Sequence, residues 1–191
     1  LRQAISNCYA QWYTVETDPA SEILPLIGSK EGIMHICMTY LDKDDIVLIP
    51  NPGYPTYSSA VKLAGGQVAA YTLHESMNWA PDFAELDSMV LSADHPVKLL
   101  FVSYPHMPTG AGSDRDIFEK LVQFAIKHDI LIIHDNPYSF ILNDSPMSML
   151  EIQGAKEVVI GLNSLSKSHN MAGWRVGMIC AAEQRINEII R

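Results

Sequence analysis

The chain has 191 residues, of which 48% are hydrophobic and 18% are charged, and its formal net charge is −9. This composition is typical of a globular domain with a buried core and argues against a disordered chain. The acidic balance argues against a nucleic-acid surface, which needs clustered Lys and Arg, and no apolar run approaches the roughly 20 residues that span a membrane.

Short apolar runs bounded by turn residues alternate with helical patterns along the chain. The first pattern is an amphipathic helix that contains Ile5, Tyr9 and Trp12. Later runs at 99–102 and 130–133 are continuously apolar, which is typical of a parallel sheet covered on both faces. The sequence therefore predicts one α/β domain, a three-layer α/β/α sandwich with a mostly parallel sheet of about seven strands. The predicted strands are 22–27, 46–50, 67–72, 98–103, 130–134, 158–163 and 176–181, and the later helices are 30–41, 55–64, 81–92, 113–128 and 183–191.

Polar or glycine-containing motifs follow five of these predicted strands. They begin at Gly28, Asn51, Tyr104, Asp135 and Ser164. In open α/β sheets, ligands bind beyond the carboxyl ends of the strands. We therefore expect loops from separate strands to converge on one ligand.

The motif after the sixth strand carries the most specific chemistry. Ser-Leu-Ser-Lys at 164–167 is followed by Gly-Trp-Arg-Val-Gly at 173–177, which places Lys167 between two serines and ahead of Arg175. This pattern suits an amine that forms a Schiff base while its neighbours hold a phosphate. Taken alone, the stretch could also be a basic, Ser-rich loop without a ligand.

These residues resemble the pyridoxal-phosphate lysine motif of the fold-type I (class I/II) aminotransferases. Two further segments match that family in order, namely Ser-Tyr-Pro-His-Met-Pro-Thr-Gly at 103–110 and His-Asp-Asn-Pro-Tyr at 134–138. Weaker matches lie at 28–32 and 51–55, so the resemblance runs from about residue 23 to the C-terminus. It implies pyridoxal 5'-phosphate as cofactor and transfer of an amino group between an amino acid and a 2-oxo acid.

The resemblance implies catalytic roles for three residues. Lys167 would carry the Schiff base and shuttle the α-proton of the substrate. Asp135 would keep the cofactor's ring nitrogen protonated, and Tyr138 would donate a hydrogen bond to the ring hydroxyl oxygen. A turn-capping Asp135 and a core aromatic Tyr138 are the simpler alternatives.

The resemblance also implies a set of cofactor contacts. The phosphate would be bound by two serine hydroxyls, a guanidinium and the first N–H groups of a helix, while an aromatic ring would stack on the pyridine. Ordinary turns explain the Gly-Ser and Tyr-Pro pairs equally well. The residues concerned are Ser164, Ser166 and Arg175 for the side chains, Gly28, Ser29 and Lys30 for the helix start, and Tyr54 for the stacking ring.

One position departs from the family pattern. The family has Asn-Pro-Thr-Gly, in which the Asn donates a hydrogen bond to the ring hydroxyl oxygen, whereas this chain has Met107 at that place. A thioether cannot donate a hydrogen bond. His106 could supply the missing donor, or it could be an ordinary loop histidine.

Other readings remain open on the sequence. The same scaffold and lysine serve lyases and synthases, and an aminotransferase-like domain also occurs as the ligand-sensing part of transcriptional regulators. A nucleotide-binding α/β domain is disfavoured because the chain lacks both G-x-G-x-x-G and G-x-x-x-x-G-K-[ST].

The resemblance also sets expectations for the whole protein. The chain is expected to be the large-domain fragment of a cytoplasmic homodimer, without an N-terminal segment and a C-terminal small domain, and to be inactive alone. Its three cysteines are widely spaced, which is typical of the reduced thiols of a cytoplasmic protein. Its partners are expected to be small-molecule amino and 2-oxo acids, with no nucleic acid and no membrane.

Overall fold

A computed structural model describes all residues from Leu1 to Arg191. Its centre is a single sheet of seven strands. The strands are β1 (Ile23–Ile27), β2 (Ile46–Asn51), β3 (Gln67–Thr72), β4 (Val97–Ser103), β5 (Leu131–Asp135), β6 (Val159–Ser164) and β7 (Val176–Cys180). Their order is β1-β7-β6-β5-β4-β2-β3. Only β7 runs antiparallel to its neighbours, so the predicted mostly parallel sheet is confirmed.

Eight α-helices surround the sheet. They are α1 (Arg2–Tyr13), α2 (Ser29–Tyr40), α3 (Pro55–Leu63), α4 (Phe83–Leu91), α5 (Arg115–His128), α6 (Ala155–Val158), α7 (Leu165–Ser168) and α8 (Glu183–Ile189). Predicted and observed ends differ by at most two residues, which is the usual uncertainty of such boundaries. The sequence analysis missed the four-residue helices α6 and α7. No helix is long and apolar enough to cross a lipid bilayer.

Two apolar clusters lie on opposite faces of the sheet. One contains 27 buried residues and joins α1, α4, α5 and α6 to the sheet, and the other contains 17 and joins α2, α3 and α8. Successive strand residues alternate between the two, as Ile132 and Ile133 do on β5. Because both faces are buried, the central strands are mostly apolar, and the predicted three layers are confirmed.

The sheet brings the motif-bearing chain segments to one edge. Ser103 pairs with Asp135 at the ends of β4 and β5, and β6 ends beside them at Ser164. Because β7 is antiparallel, it starts at this edge, where Gly177 pairs with Ser164. The edge therefore collects the carboxyl ends of all six strands from β1 to β6, together with the start of β7.

Candidate active site

A cavity of about 250 Å³ opens at this edge of the sheet. It brings together nine of the ten residues that the sequence predicted for the site. The tenth, Gly28, lies against Arg175 at the cavity's margin. The lining residues are Ser29, Lys30, Tyr54, Tyr57, Ser103, Met107, Asp135, Pro137, Tyr138, Ser164, Ser166, Lys167, Ala172 and Arg175.

Asp135 is a buried carboxyl with one oxygen satisfied and the other free. It is only 4% exposed, and its Oδ2 accepts a hydrogen bond of 2.6 Å from the Tyr57 hydroxyl. Oδ1 is buried and has no hydrogen-bond partner in the protein. Burial raises the pKa of Asp135 to about 6, although the bond from Tyr57 opposes the rise. A buried, unpaired carboxylate oxygen requires a donor, and a cationic N–H suits it best.

Lys167 and Tyr138 line the same cavity. Lys167 lies on α7, directly after β6, and its amine forms neither an ion pair nor a hydrogen bond with the protein. Tyr138 follows β5 and is half-buried. Its pKa is raised by burial and by the nearby charge of Asp135, so its hydroxyl remains a donor at neutral pH.

Hydroxyls and a guanidinium form one end of the cavity. The Ser164 hydroxyl accepts from the Ser166 N–H at 3.2 Å and begins α7. Arg175 donates through Nη1 to the Ser166 hydroxyl at 3.4 Å and to the Ala172 carbonyl at 3.3 Å. Its backbone lies in the left-handed region, with φ of 54°, which costs a residue with a side chain about 1–2 kcal/mol. Such local strain is often found at binding sites.

Two glycines allow the start of α2 to reach the same end. A Cβ on Gly177 would lie 2.5 Å from the Ser29 nitrogen, and a Cβ on Gly28 would collide with the Arg175 guanidinium. Gly28 also has φ of +81°, which favours glycine. The first N–H groups of α2 have no partner within the helix. With the helix dipole and Arg175, they gather N–H donors and positive charge at this end of the cavity.

Tyr54 lines the cavity at the start of α3. Its ring meets Tyr57 edge to face, with centroids 5.6 Å apart, and the Lys30 ammonium lies 5.6 Å from the Tyr54 ring centroid. Tyr54 therefore presents an aromatic surface to the cavity. The Lys30 side chain also lines the cavity, although the sequence analysis considered only its backbone N–H.

Met107 lines the cavity, but His106 does not. His106 is 2% exposed, and its Nε2 donates to the Pro52 carbonyl at 3.1 Å while its Nδ1 lies 2.8 Å from the Thr109 hydroxyl. Burial lowers its pKa, which keeps the ring neutral. Both ring nitrogens are thus engaged, and His106 is an ordinary loop histidine that does not replace the missing Asn.

Tyr57 is a cavity residue in contact with Asp135 that the sequence analysis missed. It is 1% exposed and belongs to the core cluster that joins α3 to the sheet. In the sequence it therefore looks like an ordinary core residue of a helix. Its partner Asp135 is 78 residues away in the chain, and no local signal connects them. Ser103 was likewise quoted only as part of a motif, although its place at a predicted strand end is a usable signal.

The residues of the cavity fit pyridoxal phosphate. The unpaired Oδ1 of Asp135 provides the acceptor that a protonated ring nitrogen needs, and the Arg175 end provides donors for a phosphate. Lys167 offers a free amine in the same lining. All three requirements of the cofactor are met within one cavity.

Comparison with known proteins agrees with this geometry. The family model for aminotransferase class I and II matches residues 1–191. The chain belongs to the class I and II aminotransferase family. It is 44% identical over 193 aligned positions to an LL-diaminopimelate aminotransferase of Dehalococcoides mccartyi, covering 100% of this chain and 49% of the relative. A relative with the same name from Moorella thermoacetica is 42% identical with the same coverage.

Solved structures of the family share the fold. Substrate-bound BacF from Bacillus subtilis superposes with a TM-score of 0.93 at 37% identity, over 98% of this chain and 47% of BacF. A probable N-succinyldiaminopimelate aminotransferase from Thermus thermophilus gives 0.91 at 34% identity, over 98% and 50%. The chain thus spans about half the length of the relatives it matches.

Proposed function

We propose that this chain forms the cofactor-binding part of a pyridoxal-phosphate-dependent aminotransferase. The observation that carries the proposal is the unpaired, buried Oδ1 of Asp135 in the same cavity as the free amine of Lys167. A buried carboxylate oxygen without a partner is costly for folding, and a bound cationic donor at that place offsets the cost. Family membership supports the same cofactor.

The side chains divide the work of holding and catalysis. Bound pyridoxal phosphate supplies an electron sink for the charge left when the substrate loses its α-proton. Lys167 would hold the cofactor covalently and, once released, take up and return that proton. Asp135 would accept a hydrogen bond from the ring N–H and so keep the nitrogen protonated. Tyr138 would donate to the ring oxygen.

The remaining residues would orient the cofactor. Ser164, Ser166 and Arg175 would bind the phosphate together with the first N–H groups of α2. Tyr54 would pack on the ring face. Because these contacts come from the starts of α2 and α3, the end of β6, α7 and the turn before β7, the cofactor would be held from several sides.

The substrates are proposed as an amino acid and a 2-oxo acid. Relatives at 42–44% identity are named LL-diaminopimelate aminotransferases, which makes LL-diaminopimelate the first amino donor to assay. Since the chain spans about half of each relative, we propose that it binds cofactor but shows no turnover without the rest of the protein.

We further propose that the whole protein is a cytoplasmic homodimer. The three cysteines form no disulfide, in keeping with a reducing compartment. Large apolar side chains are exposed at Ile27 and Trp174, near the cavity, and at Leu142 on a loop. Such exposed apolar groups support association. Light scattering on the whole protein tests this, and a monomer at micromolar concentration would contradict it.

Titration of the chain with pyridoxal phosphate, followed by absorbance, tests the cofactor assignment. We expect saturable binding, and Asp135→Ala should weaken it by roughly tenfold to a hundredfold, the effect of losing a hydrogen bond to a charged group. Asp94→Ala, on an exposed loop, is the matched control and should bind normally. Equal affinity in Asp135→Ala and in the control would refute the role of Asp135.

A further inference from the structure

The contact between Tyr57 and Asp135 joins two different elements of the fold at the bottom of the cavity. Tyr57 lies in the first turn of α3 and Asp135 is the last residue of β5, and the hydroxyl-to-Oδ2 distance is 2.6 Å. The Tyr57 ring is stacked on Phe101 with centroids 4.6 Å apart and planes at 17°. Tyr54 meets the same ring edge to face. Both neighbours hold the Tyr57 ring in place, which keeps its hydroxyl oxygen beside Asp135.

This contact makes the two oxygens of Asp135 unequal. Oδ2 is occupied by a donor from the protein, whereas Oδ1 has none. A carboxylate without such a bond can rotate and can offer either oxygen. Here the rotation is blocked, so a single acceptor faces the cavity in a fixed direction. The Tyr57 hydroxyl also stabilises the ionised form of the carboxyl, because it donates to it.

We propose that Tyr57 is a positioning residue for Asp135, which occupies Oδ2 so that Oδ1 alone receives the ring N–H of the cofactor. The inference rests on the proposed function, since the ring nitrogen belongs to pyridoxal phosphate. Tyr57 touches neither phosphate-binding residues nor Lys167 in the hydrogen-bond network, and it acts through Asp135. The other titratable or charged groups that line this cavity are Tyr54, Tyr138, Lys30, Lys167 and Arg175.

Tyr57→Phe is the variant that isolates this contact. It keeps the ring and its stacking on Phe101 and removes only the hydroxyl. Tyr71→Phe is the matched control, because Tyr71 is equally buried and its hydroxyl donates to the Phe101 carbonyl at 2.9 Å, away from Asp135. Both variants lose one buried hydrogen bond. A general loss of packing would therefore affect them alike.

The first measurement is the pKa of Asp135 in the chain without cofactor, followed by carbon NMR of its carboxyl group. Tyr57→Phe should raise this pKa by roughly one unit, the effect of one hydrogen bond to the charged form, and Tyr71→Phe should leave it unchanged. An unchanged pKa in Tyr57→Phe overturns the inference. If Tyr57→Phe does not fold, the wild-type chain provides the test. Its Tyr57 hydroxyl proton resonance should shift with the Asp135 titration, and an insensitive resonance overturns the inference.

The second measurement compares binding of pyridoxal phosphate with binding of its analogue in which C–H replaces the ring nitrogen. Wild type should prefer the natural cofactor, Tyr57→Phe should lose about tenfold of that preference, and Tyr71→Phe should keep it. A preserved preference in Tyr57→Phe overturns the positioning role. A wild-type chain that binds neither compound, or binds both equally, refutes the proposed function of Asp135 and the positioning role that rests on it. The titration of the Asp135 carboxyl then still tests the contact with Tyr57 separately.

Discussion

The pH dependence of stability should reveal two adjacent buried groups that act in opposite directions. His134 and Asp135 are neighbours on β5, and each is at most 4% exposed. Burial lowers the pKa of His134 from 6.5 to about 4. Burial raises the pKa of Asp135 from 3.8 to about 6. Both groups therefore titrate over nearly the same range, between about pH 4 and pH 6.5.

The signs follow from which state binds more protons. In this range the unfolded chain protonates His134 and the folded chain does not, so the stability from His134 is lost as the pH falls through the range. For Asp135 the folded chain holds the proton, so its stability is lost as the pH rises through about 6. Each difference in pKa corresponds to roughly 3 kcal/mol. The two contributions should nearly cancel in wild type.

Single substitutions should uncover each contribution. The difference in free energy of unfolding between Asp135→Asn and wild type should rise by roughly 3 kcal/mol from about pH 4 to pH 6. The same difference for His134→Gln should fall by a similar amount from about pH 4 to pH 6.5. Gln keeps an oxygen that can accept from the Met149 N–H, as His134 Nδ1 does. Urea unfolding at several pH values measures both differences. Differences that stay constant with pH in both variants would refute the opposed titrations.

Three further substitutions test the packing and the anion end of the site. Gly177→Ala should lower the free energy of unfolding, measured in urea, by about 1–3 kcal/mol, because the added Cβ would meet backbone atoms. Gly112→Ala is the control, because a Cβ there would have nothing within 4 Å, and it should not lower this free energy. Equal effects of the two substitutions would contradict the close approach at Gly177. Arg175→Ala should weaken pyridoxal-phosphate binding, followed by absorbance, by about tenfold or more, and unchanged affinity would remove Arg175 from the phosphate site. Met107→Asn adds a donor to the cavity and should tighten the same binding by a few-fold, whereas an unchanged affinity would make Met107 a packing residue.

Local patterns predicted the elements of the fold well. Continuously apolar runs such as 130–133 lie on strands buried on both faces, and turn residues bounded them. The reversal of β7 was not predicted, although a signal existed. Only residues 165–175 separate β6 from β7, and a parallel crossover needs a dozen or more. Short helices such as α7 lack enough residues to show a period.

The site was predicted where motifs lie at strand ends and missed where contacts are distant in sequence. Asp135 and Lys167 follow apolar strands, so their convergence could be inferred. The bond from Tyr57 to Asp135 depends on how α3 packs on the sheet, and no residue pattern encodes it. The same holds for Lys30, whose place in the cavity depends on its side-chain direction.

Borohydride reduction of the chain loaded with pyridoxal phosphate, followed by peptide mass mapping, tests most directly whether Lys167 holds the cofactor. Reduction fixes a cofactor–lysine bond as a stable adduct. We expect one adduct, on the peptide that contains Lys167, and none in Lys167→Ala. An adduct on Lys30, the other lysine of the cavity, or no adduct in a chain that binds the cofactor, would contradict the assignment of Lys167.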